Sequence, residues 1–209
     1  MAQFVNLNPG SLRELHVGNE RLVSYNVEMT EVTGGTFWKA YTPAQIAGTE
    51  PFVLKGGFLG NATASTDLMQ YYDPIDLSDK KLRKLAKEIG PAWVRVSGTW
   101  STKTYYDFDG HTNGVIPEGY NAILTREQWL GVLDFCKDIG AKLLISVADC
   151  EGLHHADEPW NPSQAEQIFA LSKEYGKAID AAEFVNEPNL LAMSGCPKGY
   201  TAEQYVRDQ

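Results

Sequence analysis

The triplet Asn186-Glu187-Pro188 places a carboxylic acid at the end of a short run of strand-forming residues, 182–187. Proline cannot donate a hydrogen bond to a neighbouring strand, so a strand is expected to stop at Pro188. A glutamic acid at such an end can protonate the leaving oxygen of a glycosidic bond, and the amide of Asn186 can bind a sugar hydroxyl. The alternative is a capping asparagine beside a solvated glutamate, but the preceding apolar strand favours the proton donor.

A second group of polar side chains alternates along an earlier apolar run, residues 92–99. Alternation places Arg95, Ser97 and Thr99 on one face of a strand. A buried charge at Arg95 needs a carboxylate partner, either Glu183 or a group outside this chain. Arg95 would serve a structural ion pair or a binding site equally well. Glu183, four residues before Glu187, is expected to be a structural partner rather than a second catalyst.

A histidine-containing loop offers a further set of ligating groups. Adjacent histidines rarely coordinate one ion, and no helical spacing supports a metal site, so we expect a polar loop at the rim of a cleft and no metal. The residues concerned are Asp149, Glu151, His154, His155 and Asp157. The three cysteines, Cys136, Cys150 and Cys196, match neither a disulfide framework nor a zinc site, and we expect no cofactor. Asn61-Ala62-Thr63 matches the glycosylation sequon, a triplet that is common by chance.

Four repeats of strand, long loop, helix and short turn position these groups. Apolar strands are predicted at 22–28, 92–99, 142–148 and 182–187, with helices after Ser78, Thr125, Pro162 and Thr201. Nearly continuous apolar strands indicate a parallel sheet covered by helices, and long loops after the strands place function at their carboxyl ends. The glycine-rich phosphate turn of doubly wound sheets is absent. We therefore predict the first four βα units of a (β/α)₈ TIM barrel over residues 20–209. The chain stops inside a predicted helix, and we expect another segment to supply the rest of the barrel.

Three of these segments resemble the heparanases and microbial β-glucuronidases of glycoside hydrolase family 79, in clan A. The helix and strand over 82–99 are similar to that family's second unit, 182–189 to its fourth strand, and 24–28 to its first. The resemblance implies that Glu187 is the acid/base and that Asn186 contacts the sugar. It also implies that Glu28, Ser97, Thr99 and Asn189 bind substrate, and that residues 1–19 are a lead-in strand of an accompanying β-sandwich domain.

The family resemblance further implies a retaining mechanism with two glutamates about 5–5.5 Å apart. The nucleophile belongs to the seventh strand, so a second polypeptide segment is expected as a partner. Heparanases carry a lysine after the Asn-Glu-Pro motif, and residues 190–194 have none. This difference favours an exo-acting β-glucuronidase. An endo-acting heparanase-like enzyme, a xylanase, cellulase or β-xylosidase, and an inactive half-barrel fragment remain alternatives.

Charge and hydropathy argue against nucleic-acid and membrane partners. The formal net charge of −9 argues against a nucleic-acid or anionic-membrane partner, because cations would have to supply the attraction. The sequence contains no apolar run long enough to span a membrane. The opening MAQFVNLNPG lacks the layout of a signal peptide, although the family resemblance suggests an extracellular or periplasmic location.

Overall fold

A computed structural model describes residues 5–6, 8–51, 69–155, 158–190, 193 and 195–209. The sequon at 61–63, Asp157, and residues 191, 192 and 194 of the stretch that lacks a lysine lie outside the described residues. The strands are β1 (Ser24–Glu28), β2 (Gly35–Trp38), β3 (Met69–Tyr72), β4 (Trp93–Ser97), β5 (Thr104–Asp107), β6 (Ala122–Thr125), β7 (Lys142–Ser146) and β8 (Ala181–Glu183). The helices are α1 (Met29–Thr33), α2 (Pro43–Ile46), α3 (Lys80–Ile89), α4 (Arg126–Asp138), α5 (Ser163–Glu174) and α6 (Ala202–Asp208).

The central sheet contains four strands in the order β1-β4-β7-β8, and each pair is parallel. Parallel strands need a crossover connection, and right-handed crossovers between successive neighbours put the connections on one side of the sheet. Tyr25 confirms that side, because its hydroxyl donates to the carbonyl of Ala86 in α3 over 3.1 Å. The predicted parallel α/β architecture is confirmed.

The two faces of the sheet differ sharply in chemistry. Val94 and Val96 of β4 and Leu143 and Ile145 of β7 are buried in the apolar core with the helices. Alternation then turns the intervening side chains to the opposite face. That face carries polar groups at its carboxyl-terminal edge, namely Asn26, Glu28, Arg95, Ser97, Ser146 and Glu183.

Helix boundaries follow local capping chemistry. Thr125 caps α4 and Thr201 caps α6, as predicted, and each accepts a hydrogen bond from a backbone amide in the first turn of its helix. At α3 the predicted cap, Ser78, is wrong, because Asp79 accepts from the amide of Leu82 over 2.6 Å. The α4 face is buried as its periodicity predicts, and Trp129 donates from Nε1 to the Ser172 hydroxyl of α5 over 2.9 Å.

Two strands end earlier than their apolar runs suggest. β4 stops at Ser97, because Gly98 adopts φ 95° and leaves the extended conformation. β8 stops at Glu183, so the predicted continuation of the strand to Glu187 is wrong. Residues 184–187 are therefore a loop, and strand alternation does not relate Glu183 to Glu187.

The long loops contain structure of their own. β2 and β3 form an antiparallel ribbon between β1 and α3, and β5 pairs in parallel with β6 between β4 and α4. The described residues before Arg21 are all exposed and include a 3₁₀ turn at Pro9–Ser11, with no strand assigned among them. None of the helices within the described ranges has the length and apolar character needed to cross a membrane.

Candidate active site

Arg95 is the centre of a polar cluster on the open face of the sheet. Its guanidinium donates to Asn26 Oδ1 over 2.6 Å and to Asn186 Oδ1 over 2.9 Å, and it forms an ion pair with Glu183. Glu183 is one of the two partners that the sequence offers for this arginine. The guanidinium therefore ties β1, β4, β8 and the loop after β8 together at one point.

Two serines complete the environment of Glu183. The hydroxyl of Ser97 donates to Glu183 Oε1 over 2.7 Å, and the Ser146 hydroxyl also hydrogen-bonds to this oxygen and to Ser97. Burial opposes ionisation of Glu183, but the hydrogen bonds from Ser146 and Ser97 and the charge of Arg95 outweigh it. The pKa of this carboxyl consequently lies below its ordinary value. Glu183 is held as an anion, which suits a structural partner and does not suit a proton donor.

Asn186 and Glu187 follow β8 and differ in exposure. Asn186 is buried, with 9% of its surface exposed, whereas Glu187 is exposed. Glu187 has φ 52°, a left-handed conformation that non-glycine residues seldom adopt. The Asn186 amide donates to Glu187 Oε2 over 3.4 Å, and the Glu187 carbonyl accepts from the amide of Leu190 over 2.7 Å. Uncommon backbone conformations held by their surroundings concentrate at functional sites.

Glu28 lies at the end of β1, next to Gly98. A Cβ atom on Gly98 would overlap the Glu28 carboxylate in its present position, and the positive φ of Gly98 also favours glycine. The pKa of Glu28 is raised, first by burial and then by the negative charges of Glu31 and Glu187, against the opposing effect of Arg95. Glu28 and Glu187 are thus close enough to interact electrostatically.

Thr99 and Asn189 lie in turns that follow β4 and β8. Thr99 falls in the turn after Gly98, so its predicted place on the strand face with Arg95 and Ser97 is wrong. Asn189 is exposed in the 3₁₀ turn Pro188–Leu190. Neither side chain hydrogen-bonds to another residue within the described ranges, although the Thr99 carbonyl accepts from the Thr102 hydroxyl over 2.7 Å.

The side chains of Asp149 and His154 in the histidine loop are buried, which the predicted polar rim did not anticipate. Asp149 is fully buried, and its Oδ1 lies 2.6 Å from Nε2 of His154, whose side chain is 6% exposed. The His154 ring packs edge-on against Tyr200, which donates to Asp208 Oδ2 over 2.8 Å. These contacts join the Asp149–His154 pair to α6, which carries Asp208, whereas Glu151 and His155 of the same loop are exposed.

An aromatic cleft has a volume of about 450 Å³. It lies against α1, which begins directly after Glu28, and against the β2–β3 ribbon. Phe37 on its wall contacts Trp100 with ring centroids 5.1 Å apart, so the cleft adjoins the loop after β4. Aromatic walls of this kind can stack on the apolar faces of sugar rings. The lining residues are Thr30, Glu31, Phe37, Trp38, Tyr72, Asp73 and Ile75.

Several residues of this site carry no obvious sequence signal. Ser146 and Asn26 hydrogen-bond within the cluster, yet each stands in a strand as an unremarkable small polar residue. Their position at the carboxyl ends of predicted parallel strands is the signal that would have found them. Phe37 and Trp38 could not be assigned, because the long stretch after β1 shows little periodicity. Of the aromatics after β4, Tyr106 is fully buried and belongs to the core.

The arrangement supplies an exposed carboxyl group at Glu187, a second carboxyl group of raised pKa at Glu28, and the buried amide of Asn186, which Arg95 orients.

No protein-family model matches this chain, and no curated protein matches it.

Proposed function

We propose that this chain is the acid/base half of a retaining glycoside hydrolase that cleaves β-linked glucuronic acid. In this proposal Glu187 is the proton donor, and a second polypeptide segment supplies the nucleophilic carboxylate. The chain is then the first four βα units of a (β/α)₈ barrel, with residues 1–19 belonging to a β-sandwich domain. The substrate class rests on the resemblance of the first, second and fourth strands to family 79.

The strand order supports the barrel. A doubly wound sheet reverses its strand order at a switch point, whereas a barrel adds each strand beside the preceding one. The order β1-β4-β7-β8 has no reversal. The polar face that bears Arg95 and Glu183 would then look into the barrel, with the carboxyl ends of the strands at its mouth.

The observation that carries the proposal is the conformation of Glu187 beside the anchored Asn186. Asn186 is buried and accepts a hydrogen bond from Arg95, so the backbone that presents Glu187 is held in place. The left-handed φ of 52° turns the chain after Asn186 and leaves the Glu187 carboxyl exposed. A solvated surface glutamate would require neither the strained conformation nor the buried network behind it.

The reaction would proceed in two displacements. In the first, the nucleophile's carboxylate forms a bond to the anomeric carbon while the bond to the leaving oxygen breaks, and Glu187 transfers its proton to that oxygen. In the second, the ionised Glu187 takes a proton from water, whose oxygen attacks the anomeric carbon and releases the nucleophile. The sugar keeps its anomeric configuration, and Glu187 regains its proton.

The remaining cluster residues would orient these groups. Asn186 presents Nδ2 towards the acid and the sugar because its Oδ1 is occupied by Arg95. Arg95 and Glu183 act as positioning residues, since Arg95 contacts both the sheet and Asn186 and Glu183 holds Arg95 by an ion pair. Glu28, with its carboxyl at the end of β1, is placed to bind a sugar hydroxyl, and Ser97 supports the network from β4.

The test is hydrolysis of an aryl β-glucuronide by the purified protein together with the segment that completes its barrel. Glu187→Ala should lose about 10²–10⁴-fold in turnover of a poor leaving group, the usual contribution of general acid catalysis. A 2,4-dinitrophenyl glucuronide needs no protonation, so its glycosylation step should be largely spared. Added azide should restore turnover by attacking the glycosyl-enzyme and giving the β-glucuronosyl azide.

Glu174→Gln provides the matched control, because Glu174 is an exposed glutamate at the end of α5. It should leave every rate unchanged. Equal losses for good and poor leaving groups in Glu187→Ala, without azide rescue, would refute the acid/base role. Activity on aryl xylosides or glucosides, with none on glucuronides, would instead assign the site to a xylanase, cellulase or β-xylosidase type.

One contact gives the endo-acting alternative a specific basis. Lys103 of the loop after β4 donates to the carbonyl of Met193 over 2.6 Å, so a lysine from another loop does reach the stretch after the Asn-Glu-Pro motif. Burial lowers the pKa of Lys103, and its stem packs close to Gly195. A heparanase-like enzyme would cleave heparan sulfate faster than an aryl glucuronide and would lose that preference in Lys103→Met. The exo-acting proposal expects the aryl glucuronide to be the better substrate.

A further inference from the structure

A compact group of ligating side chains lies at the end of β5, in the loop that leads to β6. Ligand atoms of Asp107, Asp109 and His111 all lie within 4.8 Å of one another. Gly110, between the last two, has φ 74°, and this left-handed residue turns the chain so that its two neighbours converge. The group belongs neither to the Arg95 cluster nor to the aromatic cleft.

Asp107 is the residue that sets this group apart from an ordinary acidic loop. Its side chain is only 5% exposed, and Oδ1 makes no hydrogen bond to any residue in the described part of the chain. This oxygen points into the group and lies 3.3 Å from Nδ1 of His111. The His111 nitrogen pairs with this oxygen only when the ring is protonated, and a bound cation would satisfy the buried carboxylate in the same way.

The surrounding contacts orient the ligands as at a metal centre. The Thr112 hydroxyl donates to Asp107 Oδ2 over 2.6 Å, which leaves Oδ1 directed inward. Nε2 of His111 lies 3.3 Å from the Tyr105 hydroxyl, while Nδ1 faces the two carboxylates. Metal-binding histidines commonly use the second ring nitrogen in this way, to fix the ring orientation.

We propose that Asp107, Asp109 and His111 bind a divalent transition-metal ion of the zinc class. Ligands at about 2.0–2.1 Å in tetrahedral geometry lie roughly 3.3 Å apart, which is the separation of Asp107 Oδ1 and His111 Nδ1. The Asp109 carboxylate lies 2.5 Å from the same nitrogen and is 76% exposed, so it is free to turn outward and make room for the ion. An imidazole ligand favours zinc over magnesium or calcium, which prefer all-oxygen sites. The ion would fix the loop between β5 and β6, contrary to our expectation from the sequence of no metal.

The test is titration of the chelator-stripped full chain with Zn²⁺ by isothermal titration calorimetry. We expect one ion per chain, at least about tenfold weaker binding in His111→Ala, and a similar loss in Asp107→Asn. His111 is 55% exposed, so its replacement does not threaten folding. His155→Ala, which removes an exposed histidine of another loop, should leave the affinity unchanged.

A second readout is thermal stability, because an ion that binds only the folded state raises Tm. Saturating Zn²⁺ should raise Tm in the unmodified chain and in His155→Ala, but not in His111→Ala. Zn²⁺ affinity unchanged in His111→Ala and Asp107→Asn would overturn the site. Tighter binding of Ca²⁺ than of Zn²⁺ would overturn the assigned class of metal.

Discussion

At the scale of single residues, the site combines two carboxyl groups with opposite surroundings. Glu183 is surrounded by donors that stabilise its anion, whereas Glu28 faces other negative charges and burial without full compensation. The difference follows from geometry, since Arg95 forms its ion pair with Glu183 rather than with Glu28. The two residues should therefore respond in opposite ways to loss of charge.

Replacement of Glu28 by glutamine should stabilise the protein at neutral pH. The raised pKa means that ionising Glu28 costs more in the folded than in the unfolded protein, so stability is lost as pH rises through that pKa. Glutamine avoids this cost, with an expected gain of about 1 kcal/mol or less and roughly 2–4 °C in Tm. Thermal unfolding should show the gain at pH 7 and its disappearance below about pH 4.3, the ordinary value for glutamate. A lower Tm at pH 7 would contradict the assignment.

Replacement of Arg95 by methionine should have the opposite effect, because it leaves the Glu183 anion without its cation. Loss of one partner of a fully buried ion pair lowers the free energy of unfolding by about 3–5 kcal/mol. Because the side chains of Arg95 and Glu183 are about one-third exposed, we expect a loss of about 1–2 kcal/mol at pH 7. The pKa of Glu183 is lower in the folded protein than in the unfolded one. The ion pair therefore stabilises the protein when the pH is above the ordinary pKa of glutamate, and this stabilisation is lost as the pH falls through the lowered pKa. Urea unfolding should therefore show the two proteins converging below about pH 4.

Two further variants isolate that pair. Glu183→Gln in the Arg95→Met protein should recover part of the lost stability, because no uncompensated anion remains. Lys87→Met removes a more exposed partner, 2.6 Å from Asp138, and should cost less than about 1 kcal/mol. If both lysine and arginine variants lose equal stability, the Arg95 pair has no special role in the network.

At the scale of elements, the ends of β4 and β8 decide where the site residues lie. Both apolar runs continue beyond the strand, but Gly98 and Glu187 adopt left-handed conformations. The loops after β4 and β8 lie at the same edge because the strands are parallel, and these turns shape each loop there. The departure from regular strand geometry is thus part of how the site is built.

Gly98→Ala tests this at β4. The new Cβ would overlap the Glu28 carboxylate, and the positive φ alone costs about 1–2 kcal/mol in a non-glycine residue. We expect Gly98→Ala to lower the free energy of unfolding by more than this amount in chemical denaturation. When Glu28 is also changed to alanine, the loss caused by Gly98→Ala should fall back towards the cost of the positive φ alone. Gly131→Ala is the control, since Gly131 lies within α4 with no atom near its Cβ position, and it should stabilise by roughly 1 kcal/mol. A Gly98→Ala loss of the same size with glutamate and with alanine at position 28 would show that no close approach to Glu28 exists.

At the scale of the whole molecule, the parallel α/β arrangement was predictable because apolar strands and capped helices alternate. Burial of the Arg95 charge predicted a carboxylate partner, and Glu183 was one of the two candidates for it. The sequence could not reveal that 184–187 form a loop, because Phe184 and Val185 extend the apolar run without forming a strand. Nor could it separate the buried Asp149–His154 pair from a polar rim, since that burial depends on contacts with α6.

The proposed barrel predicts how the sheet edges should respond to a segment that supplies the other four βα units. Among the described residues, β1 and β8 are the outer strands of the sheet, and each has one side without a neighbouring strand. Addition of the complementary segment should slow amide hydrogen exchange in residues 24–28 and 181–183, with little change in β4 and β7, which are already paired on both sides. The chain alone should associate through these edges in gel filtration. A well-behaved monomer whose exchange is unaffected by the segment would refute the half-barrel.

The unbroken order of the sheet also bears on how the protein acquires its structure during synthesis. Each of β4, β7 and β8 pairs with the sheet strand that precedes it along the chain, so no strand must wait for a later one before it finds a neighbour. Each pairing closes a loop of tens of residues, but the entropic cost of closure grows only slowly with loop length. As the ribosome releases the chain from its amino end, the sheet can grow one unit at a time. The cluster around Arg95 would then assemble last, when Glu183 and Asn186 emerge.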